Sequence, residues 1–252
     1  MSMDPSWDYY ETPDAADPTG AERARVELDL RTIEDAPHDT RPVLLRLRIE
    51  RREGDHALAT ALCTALAPLH DARLVARLLD RAHLELVLYV AREEGVEDDV
   101  RELVADHPGH RVRVVLASDP GWLHVRETLY PDRIQSQWMQ DRRVVEALAS
   151  SGDRLEVPRP VDHALYFRSH EARQAFTRLV HAEGFECDVA TDGDGSLRFG
   201  LVARRSDPVV LAHIHRVVRG LIERAEACGG QYDNWGAPVV RSRSKAPPPV
   251  AP

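Results

Sequence analysis

Between residues 131 and 240 the apolar residues of this chain change spacing repeatedly, and the order of those changes restricts the fold more than any other feature. "DRIQSQWMQDRRVVEALASSG" spaces Ile134, Trp138, Val145 and Leu148 at helical intervals, and Gly152 is placed to end that helix. "VDHALYF" then reads as a strand. Ser169 is the expected N-cap of a helix carrying Ala172, Phe176, Leu179 and Val180. "GFECDVAT" sets Phe185, Cys187 and Val189 on one face of a strand, and "SLRFGLVARR" does the same with Leu197, Phe199 and Leu201. The "DGDG" between them, residues 192–195, is the expected hairpin turn. Asp207-Pro208 reads as an N-cap and first-turn proline. The helix after it runs Val210, Ile214, Val217, Leu221, Ala225 and stops at Gly229-Gly230, where positive φ is expected of both glycines. "QYDNWGAPVV" closes as a strand. The order βαββαβ predicts a ferredoxin-like α/β sandwich, an antiparallel sheet with two helices on one face.

Residues 21–130 follow a variant of the same plan. "ARVELDL", "PVLLRLRIE", "LELVLYVA" and "HRVRVVLAS" read as strands, with helices over "HALATALCTALAPLH" and "VEDDVRELVADH"; "ARLVARLLDRA" fits either a strand or more helix, with strand favoured. The predicted class is α+β, with two tandem ferredoxin-like sandwiches at 21–130 and 131–240. Residues 1–20 form an acidic, proline-containing extended arm in this reading, which Trp7, Tyr9 and Tyr10 would pin to a domain. Residues 241–252 form a disordered, proline-rich tail.

Net charge is −9, of which residues 1–130 carry −10, residues 131–240 carry −2 and the last twelve residues +3. Neither half is basic, so direct nucleic-acid binding is not expected. No apolar run is long enough for a membrane span, and Cys63, Cys187 and Cys228 are three widely spaced cysteines with no CxxC and no even set. Reduced thiols and an acidic N-terminus without a leader point to a cytoplasmic protein. No nucleotide-binding glycine motif or GxSxG nucleophile occurs, so no cofactor is expected. His213 and His215 are two residues apart, which turns them to different sides of a helix and argues against a shared metal. Asp162 and His163 are neighbours in a strand and face opposite ways. On the open sheet face only Tyr166 is aromatic, too little for a base-stacking platform. That face is better suited to docking another protein.

The run "DRRVVEALASSGDRLEVPRPVDHALYFRSHEARQAFTRLVHAEGFECDV", followed by "GGQYDNW", resembles the RraB family, regulators that inhibit the endoribonuclease RNase E. The shared elements are Gly152-Asp153, Pro158-Arg159, Val161-Asp162-His163, Tyr166-Phe167, Gly184-Phe185 and Tyr232-Asp233-x-Trp235. The resemblance covers residues 130–240. Residues 1–130, from "WDYY" through "DPGWLHVRETLYP", resemble an uncharacterised domain family that often precedes RraB-like domains in bacteria. The resemblance implies a ferredoxin-like fold, no catalytic activity, and a protein partner that is an RNase E-type endoribonuclease. Its interaction candidates are Arg159, Asp162, His163, Tyr166, Tyr232, Asp233 and Trp235. Asn234 stands where the family has glycine, and a left-handed backbone is expected of it. Two other readings remain open: a two-domain small-ligand-binding or structural module, and an enzyme using Asp162, His163, Tyr166 and Asp233.

Overall fold

The computed structural model describes residues 6–13, 23–190 and 197–241. The expected "DGDG" turn and the tail after Arg241 lie outside the described residues. The chain divides into two compact units, Met1–Met139 and Gln140–Pro252.

The first unit contains strands β1 (Trp7–Pro13), β2 (Arg23–Asp29), β3 (Val43–Glu50), β4 (Arg73–Leu79), β5 (His83–Val90) and β6 (Val112–Ser118). Its helices are α1 (Leu30–Glu34), α2 (Asp55–His70) and α3 (Val96–Ala105). The strands form one antiparallel sheet in the order β1-β2-β4-β5-β3-β6. The segment from β3 to β6 is a complete βαββαβ unit, with its first and third strands adjacent at the centre. β2 and β1 extend it on the β4 side.

Strand β1 arises from the acid-rich segment read as an arm. It pairs residue for residue with β2, from Trp7 opposite Asp29 to Pro13 opposite Arg23. Its aromatic residues supply the burial that its composition seemed to lack. Tyr10 is buried and donates to the Leu129 carbonyl at 2.9 Å, and burial pushes its pKa up to about 12. The Arg25 guanidinium lies 3.6 Å over the Tyr9 ring.

Alternation in β3 turns Leu45, Leu47 and Ile49 toward one face, where they meet Leu58, Leu62 and Leu66 of α2 and Val96 and Val100 of α3. Val87 and Tyr89 of β5 point to the other face and are also fully buried. Part of the cover there is Trp122, stacked on the Tyr89 ring at 3.8 Å and 6°. Trp122 adopts φ 55, which costs a non-glycine residue about 1–2 kcal/mol. Asp119 holds the bend. It accepts from the Tyr89 hydroxyl at 2.7 Å and from the Leu123 and His124 amides at 2.8 and 3.0 Å, and Trp122 Nε1 donates to the Arg41 carbonyl at 2.9 Å.

Helix α4 (Arg133–Ser150) begins in the first unit and runs into the second, which continues with β7 (Arg159–Phe167), α5 (His170–His181), β8 (Glu186–Val189), β9 (Phe199–Asp207), α6 (Leu211–Ala227) and β10 (Gly230–Gly236). Sheet order is β10-β7-β9-β8, antiparallel throughout. This is the ferredoxin-like arrangement expected from the element order. Phe176 and Val180 of α5 and Ile214, Val218, Leu221 and Ala225 of α6 are buried. Ser169 caps α5 by accepting from the Ala172 amide at 3.1 Å.

Two expectations at the ends of α6 are corrected. Asp207 is the last residue of β9, and Val210 is the N-cap. Asp207 pairs with Arg159 across the β7–β9 ladder, which keeps it in the strand. At the other end only Gly229 has positive φ, +73. Gly230 already belongs to β10, opposite Phe167, and a Cβ there would drive into the Phe167 ring and lie 3.0 Å from the Tyr166 carbonyl. Gly230 is therefore set by packing. Gly230→Ala is expected to destabilise the protein by about 1–3 kcal/mol, seen as a lower denaturation midpoint at unchanged slope.

Candidate functional site

The Tyr232-Asp233-Asn234-Trp235 run shows how the sequence builds the β7–β10 edge. Strict alternation would send Tyr232 and Trp235 to opposite faces of β10. The pairing register shifts between Tyr232, opposite Leu165, and Asn234, opposite Ala164. That bulge inserts one residue, Asp233, and turns both aromatics inward. Tyr232 and Trp235 are buried, whereas Asp233 and Asn234 are exposed. Among the described residues only Asp71 and Trp122 are non-glycines with positive φ. Asn234 thus carries no left-handed strain, contrary to expectation, because the extra residue is absorbed as a bulge.

The buried aromatic and acidic groups at this edge are partnered, whereas His163 Nε2 is buried without a hydrogen bond. His163 Nδ1 lies 3.0 Å from the Tyr232 hydroxyl. Burial lowers the His163 pKa to about 4 and raises that of Tyr232 well above the ordinary phenol range. Trp235 Nε1 donates to Asp141 Oδ1 at 2.9 Å, and His215 Nδ1 lies 2.8 Å from Asp141 Oδ2. Asp141 is fully buried, so these hydrogen bonds compensate a desolvated carboxylate.

Arg159, also buried, fastens the start of β7. Its Nη1 sits 2.5 Å from Asp153 Oδ2 and 3.2 Å from the Pro238 carbonyl, its Nε donates to the Val157 carbonyl at 3.1 Å, and its Nη2 donates to the Arg154 carbonyl. Asp153 Oδ2 also accepts from the Val240 amide at 2.7 Å. Burial acts to raise the Asp153 pKa, but the Arg159 and Val240 hydrogen bonds outweigh it and hold the carboxyl below its ordinary range.

The opposite side of the sheet is open. It carries Asp162, Ala164 and Tyr166 from β7, Val202 and Arg204 from β9, and Glu186 and Asp188 from β8. Arg204 forks onto Asp162, Nε to Oδ1 at 2.5 Å and Nη2 to Oδ2 at 3.1 Å, and lies 3.6 Å from Asp188. Tyr166 sits between Gly200 and Gln231.

The seven interaction candidates therefore separate. Arg159, His163, Tyr232 and Trp235 are buried in the second unit, while Asp162, Tyr166 and Asp233 are accessible. The four residues of the enzyme reading do not converge either. His163 lies on the covered face, Asp162 and Tyr166 on the open face, and Asp233 in the bulge. Among the described residues, no group of three or more His, Cys, Asp or Glu is placed to hold a metal, and no helix is long and apolar enough to cross a membrane. His213 turns to Asp207 and His215 to Asp141. Asp141 escaped sequence reasoning; the available signal was the indole N–H of Trp235, which needs an acceptor once buried.

Residues 138–237 match the RraB family, described as regulator of ribonuclease activity B. The RraB match spans the buried edge, from Asp141 to Trp235, and the whole open face. It leaves residues 1–137 outside. No curated protein matches the chain. A crystal structure of an unknown protein from Galdieria sulphuraria is similar over 79% of this chain and 99% of that one, at 15% identity and a TM-score of 0.24, which is too low to bear on the fold.

Two outcomes follow from this edge. Trp235→Ala is expected to cost about 3–5 kcal/mol of stability, measured by urea unfolding. His163, at about 4 when folded against 6.5 when free, binds protons more readily in the unfolded chain. Its contribution to stability is complete above pH 6.5 and falls as the pH drops toward 4, with a loss of about 2 kcal/mol by about pH 5. His163→Gln should flatten the fall of melting temperature across that window. Some slope will remain, because burial lowers His124 in the same direction.

Proposed function

We propose that this chain regulates ribonuclease activity by binding a protein, an RNase E-type endoribonuclease, and has no catalytic role of its own. The observation that carries this reading is the RraB match over residues 138–237. The docking surface in this proposal is the open face of β7, β8 and β9 with the β10 bulge. Tyr166 is its aromatic anchor, of a residue type enriched at binding hot spots. Asp188, Asp162 and Glu186 lie in the rows beyond it and Asp233 in the bulge, with more negative charge than Arg204 balances. A nuclease surface that grips RNA phosphates must be basic, so an acidic face is complementary to it. The buried members of the motif hold that face in shape and do not touch the partner. Three free, half-buried thiols fit a reducing compartment, and the cytoplasm is the proposed location.

A cleavage assay with a purified RNase E-type endoribonuclease tests the proposal. Addition of the chain should slow cleavage. Tyr166→Ala and Asp233→Arg should each weaken binding about tenfold or more while leaving the circular dichroism unchanged. Cleavage unaffected by the wild-type chain at any concentration would defeat the reading.

A further inference from the structure

The six-stranded sheet of the first unit presents a second surface that neither the RraB match nor the proposed docking face uses. β3 lies between β5 and β6, and their registers set the outward residues in rows. Arg113, Arg48 and Glu85 lie side by side, as do Val115, Arg46 and Val87. Glu50 lies opposite His83 and donates its amide to the Arg111 carbonyl, which forms the next row. The bend that carries Trp122 covers the Tyr89 end of this face. Below it the sheet opens into two adjoining clefts that share Arg48 and Arg113. One, of ≈ 220 Å³, is lined by Arg46, Arg48, Glu85, Arg113 and Val115, and the other, of ≈ 400 Å³, includes Arg111, Glu50 and His83.

Charge is unbalanced here although residues 1–130 are acidic overall. Arg46 takes Glu85 at 2.5 Å, and Arg52 takes Glu50 at 2.9 Å. Arg48 is left with His83 Nδ1 at 2.9 Å and a distant Asp80 at 3.8 Å, and its Nε is buried without a partner. Arg111 and Arg113 are exposed, and among the described residues their side chains have no hydrogen bond or ion pair. Arg48 and Arg113 are directly opposite each other, where like charges destabilise a sheet. An anion lying across them would relieve that repulsion. Guanidinium groups match phosphate oxygens in fork geometry.

We propose that this arginine-lined face, built on β3, β5 and β6, binds the phosphate backbone of single-stranded RNA. Three strands about 4.8 Å apart make a shallow trough suited to one strand and too narrow for a duplex. These rows carry no Phe, Tyr or Trp, so bases have nothing to stack on and binding is independent of sequence. With only two or three arginines free to meet phosphates, binding is weak. The choice of RNA over another polyanion rests on the ribonuclease reading; the imbalance of the arginines does not.

The test is fluorescence anisotropy of a labelled oligouridylate titrated with the full chain, in the absence of any nuclease. Affinity should fall about tenfold between ~50 and ~200 mM salt, the slope for two to three phosphates on a single strand. Arg48→Gln combined with Arg113→Gln should weaken binding by about tenfold at low salt, and Arg101→Gln, an exposed α3 arginine away from the face, should not change it. Three results overturn the proposal: no binding at low salt; binding that the double variant leaves intact; or displacement by ATP or polyglutamate as effective as by unlabelled RNA, which would assign the face to a small nucleotide or an acidic peptide. The double variant carried into the cleavage assay separates the two readings. Inhibition retained while RNA binding is lost leaves the protein-docking proposal standing, and RNA binding without inhibition does the reverse.

Discussion

One inserted residue in β10 sets the organisation of the second unit. The bulge at Asp233 turns Tyr232 and Trp235 to the same side, and burying both creates two obligations. The phenol needs a partner and finds His163. The indole needs an acceptor and finds Asp141, whose second oxygen is taken by His215. Helix α4, strand β7, helix α6 and strand β10 are thereby tied through buried polar groups, and Arg159 adds a clamp from the start of β7 to the chain beyond β10. Loss of any one member strands another in a dry environment, where an unsatisfied polar group costs ~1–3 kcal/mol.

Inward demand leaves the outer face of that sheet free for other work. Alternation along β7 sends Arg159, Val161, His163, Leu165 and Phe167 to the core and Asp162, Ala164 and Tyr166 outward. A motif whose buried half maintains shape and whose exposed half is accessible accounts for mixed residue types in one short run. The first unit repeats the βαββαβ plan with a different division of labour. Its sheet is covered at one end by the Tyr89–Asp119–Trp122 bend, and the remainder carries arginines in rows. Two units of one topology thus present an acidic face and a locally basic one.

Much of the architecture was legible in residue order. Period-two runs such as Phe185, Cys187 and Val189, separated by helical spacings, implied both βαββαβ units, and the topology followed because few antiparallel arrangements suit that order. Strand β1 was not legible. Its aspartate, glutamate and proline read as solvated, and only the burial of Tyr10 and the pairing with β2 make it a strand. The division of the interaction candidates was also hidden. His163 and Asp162 are equally polar in sequence, and one is in the core while the other is at the surface.

The sequence by itself determined where strands and helices form, where α5 is capped, and that two sheets result, because these depend on local propensity and apolar spacing. The tertiary structure alone decided that Asn234 sits in a bulge without strain, that Gly230 is required by the Phe167 ring, that Trp235 ends on Asp141 ninety-four residues away, and that Arg48 meets Arg113 across a strand pair. Those outcomes depend on register and long-range packing, which bring together residues whose positions in the chain carry no record of their being neighbours.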